Sequence, residues 1–192
     1  MTLPPDYYLL AHQFLNISRN SIDEMKKQGN KNSMTFNYQG SKEASDKYYE
    51  EMTKWNDMNV SVPILFNYHH GIELMTKAML KELKVKFETN HDLDKLIGQL
   101  ETSKQLPSSL TESLRFHISK KSPFHDYFKT NNATPDQLNE LLRYPERKKQ
   151  IYNLEKVLVQ EGEGLNKFIA IRDNIDLVKS ELFSWKRNKK GS

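Results

Sequence analysis

From Phe168 to Trp185 an apolar residue returns every three or four positions: Phe168, Ile171, Ile175, Val178, Leu182 and Trp185. At about 100° per residue these side chains fall on one stripe of a helix, and a stripe held for that length needs a packing partner along all of it. A second long stripe, Leu65, Tyr68, Ile72, Met75, Met79 and Leu83, supplies one. The two helices, expected near 63–83 and 165–185, predict an all-α, up-and-down bundle in which they pack against each other.

The remaining chain agrees with that class. Hydrophobic residues make up only 36% and charged residues 28%, so the apolar residues must be ordered into stripes to form a core. Glycine and proline are sparse and clustered, which argues against a turn-rich β architecture. Pro4 and Pro5 open a first helix carrying Leu10, Phe14, Ile17 and Met25, and Gly29 ends it. Residues 29–41 read as a mobile loop. Ala44, Tyr48, Met52 and Trp55 form the next stripe, and Ser61 with Pro63 marks the start of the long helix. Gly71, inside it, predicts a close approach of another backbone. Asn90 is the expected cap of a helix bearing Leu93, Leu96, Ile97 and Leu100. Pro107 and Ser108 start another, with Leu110, Leu114 and Ile118, that Pro123 ends. Thr134, Pro135 and Gln137 form a capping box for a helix through Leu141 and Leu142, stopped at Tyr144-Pro145. Val157 to Val159 fit either a short strand or a helical turn. Lys186, Arg187, Lys189 and Lys190 read as a frayed basic tail.

A single domain over 1–190 is expected, since 192 residues can bury a core of their own. The chain has no cysteine, which excludes disulfides, thiolate catalysis and cysteine-bound zinc. Neither a signal peptide nor a membrane span is read from the sequence, so a soluble, cytoplasmic protein with no membrane partner is expected. The net charge of +4 permits anionic partners without requiring them.

Three motifs occur in order: Phe66-Asn67-Tyr68-His69-His70-Gly71-Ile72-Glu73-Leu74-Met75-Thr76-Lys77-Ala78-Met79-Leu80, then His91-Asp92-Leu93-Asp94-Lys95-Leu96, then Arg143-Tyr144-Pro145. Together they resemble HEPN domains over roughly residues 44–185. The resemblance implies a helical bundle, usually dimeric, in a bacterial stress, toxin–antitoxin or phage-defence setting. It also implies a metal-independent ribonuclease pattern on a late helix, an arginine followed four to six residues later by histidine. Arginine offers a planar fork to phosphate and histidine moves protons near neutrality. Here Arg172 is present, but the histidine position is Leu177. A catalytically degenerate dimeric module is therefore expected, with RNA, a nucleotide or a protein as partner and no cofactor. Its contact surface would include Ile169 and Leu177, both off the core stripe. The alternatives are a ribonuclease that pairs Arg172 with a displaced His117 or His125, and an unrelated scaffold for a protein partner.

Other chemistry is weaker. Arg172, Asn174, Arg143, Arg147 and Lys148, with Tyr144 and Tyr152 interleaved, are the candidates for contact with RNA or a nucleotide; a solvated charged face has the same pattern. His69 and Glu73 share a helix face, but no second ligand pair has metal spacing, so no metal is expected. Glu73 and Lys77, four apart, are expected to form a partly exposed helical pair. No Gly-rich phosphate loop or nucleophile elbow occurs.

Overall fold

The computed structural model describes residues 6–31, 41–87, 91–143 and 163–190. Within them the chain is an all-α bundle with no strand. The helices are α1 (Tyr7–Gln28), α2 (Lys42–Thr53), α3 (Asp57–Glu82), α4 (Leu93–Ser103), α5 (Ser108–Arg115), α6 (His125–Thr130), α7 (Pro135–Arg143) and α8 (Glu163–Lys190), with a 3-10 turn at Phe116–Ile118.

Local signals account for most of the boundaries. Asp6 caps α1 by accepting the Leu9 N–H, and Gly29 ends it at φ 73°, the left-handed conformation that a Cβ would strain. The capping box of α7 closes in both directions: the Gln137 N–H donates to Thr134 Oγ1 and the Thr134 N–H to Gln137 Oε1. Other expectations shift. α3 starts at Asp57 rather than near Ser61, because Asn56 accepts the Asn59 N–H and caps the helix first. Pro63 then lies inside the helix with its ring toward solvent, at the loss of one backbone bond. Trp55 falls beyond the end of α2, in the turn before Asn56. Asp92, not Asn90, caps α4 by accepting the Lys95 N–H, and residues 88–90 lie outside the described residues. Past α5 the chain tightens into the 3-10 turn and, after Pro123, forms α6, a helix too short to show a stripe. The expected basic tail is helical as far as Lys190. It is held there because the Lys186 ammonium sits 3.3 Å from the Tyr8 ring centroid and Lys186 and Lys189 pair with Glu82. Residues 32–40 of the expected loop, Tyr144-Pro145, Tyr152 and Val157–Val159 lie outside the described residues.

Long-range contacts fix the arrangement. Going along α1, Tyr8 meets Glu82, Ser18 meets the Ile64 carbonyl and Asn30 meets Asp57, so α1 and α3 are antiparallel. Tyr8, Asn16, Arg19 and Asp23 meet Lys186, Lys179, Asp176 and Arg172, so α8 is antiparallel to α1 as well. α3 and α8 are therefore parallel, and they touch where Tyr68 Oη donates to Asn174 Oδ1 at 2.5 Å. The α8 stripe is buried throughout, together with Leu15, Ile22, Ile72, Met75 and Met79. Gly71 lies against α1 as expected: a Cβ there would come within 2.7 Å of the Leu15 side chain and 3.2 Å of its backbone nitrogen.

Candidate functional site

The outer side of α8 holds the arginine to which the ribonuclease pattern points. Arg172 is partly exposed, but its guanidinium is already paired with carboxylates. Its Nε donates to Asp23 Oδ1 at 2.6 Å, and its Nη1 lies 3.1 Å from Asp173 and 3.8 Å from Asp176. Arg19 completes the group by donating to Asp176 at 2.7 Å and Asp23 at 2.9 Å. Two guanidiniums thus share three carboxylates, and the hydrogen bond to Asp23, more than any other contact, raises the Arg172 pKa above its ordinary value. The interaction sequence could not foresee was with Asp23, which is far away in the chain and belongs to no motif.

Asn174 corrects the expectation of a ligand contact. It is buried, its oxygen accepts from Tyr68 and its amide donates to the Ser113 carbonyl at 3.0 Å, so it joins α8 to α3 and α5. Being two residues from Arg172, it faces the opposite way on the helix. Leu177 stands out from α8 with 47% of its surface exposed, and Phe183 on the same outer side is 67% exposed. Ile169 is half-buried. Arg143 ends α7, and Arg147 and Lys148 lie outside the described residues.

The displaced histidines are not assembled with Arg172. His117 is buried, with its Nε2 3.1 Å from His69 Nδ1 and its ring edge-on to Tyr68 and Phe128. Burial, with the neighbouring His69 adding to it, pushes the His117 pKa well below the usual histidine range, so the ring is neutral near pH 7. His125 opens α6, half-buried, and no hydrogen bond or ion pair joins it to Arg172 among the described residues.

A second polar group, missed as a unit by the sequence, runs through the middle of α3. His69 Nε2 is 3.3 Å from Asp136 Oδ1 of α7, an atom that also accepts the Leu93 N–H at the start of α4. One turn along α3, Glu73 and Lys77 form the pair expected to be partly exposed. The structure corrects this: Glu73 is fully buried and Lys77 nearly so, with Nζ 2.6 Å from Oε1. α3 is covered along this length, so a spacing that would mark a surface pair on a lone helix ends up inside. His91 Nδ1 lies 2.9 Å from the same oxygen, and His70 Nδ1 3.6 Å from the other. Burial by itself would raise the Glu73 pKa; His70, Lys77 and the charge on His91 outweigh it and hold the carboxyl at about 2. A carboxyl that acidic is a poor general base near neutral pH. The motif letters of His91-Asp92-Leu93 were legible in the sequence; that His91 and Asp136 both meet α3 was not. Among the described residues no cluster of three or more metal-ligating side chains forms, and no helix is long and apolar enough to cross a membrane.

No protein-family model, curated protein or solved structure matches the chain.

Proposed function

We propose that this chain is a HEPN-like binding module without ribonuclease chemistry, acting as a homodimer through the outer face of α8 around Ile169 and Leu177. The observation that carries the reading is the state of Arg172. Its guanidinium is committed to Asp23, Asp173 and Asp176. A transition-state phosphate would have to displace one of these carboxylates and approach the others, which like-charge repulsion opposes. The position for the proton-moving histidine holds an exposed leucine. Acid around Arg172 and apolar surface beside it fit a protein contact better than an RNA contact, and a partner protein could use the same face. An RNA or nucleotide contact, if the module has one, falls to the basic residues Arg143, Arg147 and Lys148. The bacterial stress, toxin–antitoxin or phage-defence setting follows from the family resemblance.

Incubation of the purified chain with labelled RNA in EDTA tests the loss of chemistry. The expected result is intact RNA with both the wild type and Arg172→Ala. Cleavage by the wild type that Arg172→Ala abolishes would overturn the reading.

A further inference from the structure

The outer stripe of α8 reads Asp173, Leu177, Ser180, Ser184, Arg187, and every one of these side chains is exposed. Spacings of four, three, four and three keep the stripe on one side of the helix. Its order is self-complementary: acid at one end, where Asp173 lies 3.1 Å from Arg172 of its own helix through Oδ1 and still has 62% of its side chain exposed, base at the other, small hydroxyls in the middle, with Leu177 and Phe183 placed symmetrically about Ser180. The two charged ends stand fourteen residues apart, about 21 Å along the helix. A second copy laid antiparallel across Ser180 brings Asp173 opposite Arg187 of that copy, and the reverse, so each end of the contact is closed by opposite charges. Ser180 and Ser184 at the crossing let the two backbones come close, and the exposed Leu177 and Phe183 flank the crossing and lose water to the second copy. A parallel pairing would instead set Asp173 against Asp173 and Arg187 against Arg187, which like-charge repulsion disfavours.

We infer that the partner on this face is a second copy of the chain, with α8 crossing α8 antiparallel and the two-fold axis passing at Ser180. The inference rests on the proposed self-association and adds its geometry. An isologous contact of this kind places each residue on the axis against itself.

The chain has no native cysteine, so single thiols report position cleanly. Ser180→Cys is expected to form a disulfide-linked dimer under mild oxidation, while Ser184→Cys, whose two copies stand about 12 Å apart along the axis, is expected to stay unlinked. In sedimentation, Asp173→Arg and Arg187→Asp are each expected to weaken the dimer at least tenfold, and the double variant is expected to recover it. A wild-type dimer in which Ser180→Cys does not link, or Ser184→Cys links as readily, overturns this geometry and leaves self-association standing. A monomeric wild type at concentrations of about 100 μM, where a contact with a micromolar constant would be occupied, overturns both.

Discussion

Two clusters of charge differ in where they sit rather than in what they contain. In the interior of α3, Glu73 meets Lys77, His70 and His91, and His69 meets His117 and Asp136. On the seam between α1 and α8, Arg19 and Arg172 meet Asp23, Asp173 and Asp176. Both are networks of polar side chains at close distances. The first has a buried centre, with the Glu73 side chain only 1% and that of Lys77 8% exposed, and His91 reaches it from the surface; the second is open, with Asp173 at 62%. Water and salt screen the seam, so its pairs orient side chains and contribute little to stability. At the buried Glu73–Lys77 pair, losing either partner leaves the other as a desolvated charge. The lesson is that the seam bears on what the molecule can bind, while the α3 network bears on whether it stays folded.

The strongest way to break that comparison is Glu73→Gln. It strands the Lys77 ammonium in a buried site, and a loss of about 3 kcal/mol in urea unfolding is expected. Combining it with Lys77→Met should recover most of that loss, since neither charge then remains. A change below about 0.5 kcal/mol for Glu73→Gln would place the pair with the surface ones.

Acid should distinguish the clusters almost as sharply. The folded pKa of Glu73, about 2, lies below its ordinary value of 4.5, so its contribution is complete above pH 4.5 and is lost as pH falls toward 2, for about 3 kcal/mol in total. His117 is also depressed, and the unfolded chain therefore binds its proton first. Its contribution is complete above about pH 6.5 and declines below it by about 1.4 kcal/mol per pH unit. Urea unfolding from pH 8 to 4 should show the decline beginning near 6.5, and His117→Gln should flatten it by about one proton. An unchanged slope in His117→Gln would contradict the assignment.

Between the two networks lies the α1–α3 contact that supports both. Gly71→Ala is expected to cost about 2 kcal/mol by thermal or chemical unfolding, because the added methyl meets Leu15 at both side chain and backbone. The smallest effect is expected on the seam. Arg172→Ala should change stability by less than about 1 kcal/mol, and the difference should shrink further in 1 M salt.

How much of this was legible follows the range of the interactions. The buried stripe of α8, the Gly29 turn, the Thr134–Gln137 box and the Gly71 approach are signalled within a few residues of themselves, and all are seen. α6 has only six residues, too few for a period to show. The burial of Glu73 and Lys77 depends on what covers α3, which a spacing of four cannot tell. The same holds for Arg172, neutralised by an aspartate 149 residues away, and for Asn174, whose partners lie on α3 and α5. Thus the helices were readable and the state of the candidate site was not, because the site is made of pairings between helices.

Sedimentation equilibrium of the wild type and Leu177→Asp tests the central claim, a protein-contact face on α8, most directly. A carboxylate at the 47% exposed Leu177 position should leave the fold intact, yet in a dimer it must be desolvated against an apolar partner. The account predicts a dimeric wild type and a Leu177→Asp variant whose dissociation constant is at least tenfold weaker, with unchanged helical circular dichroism. Two monomers, or two dimers of equal affinity, would contradict it.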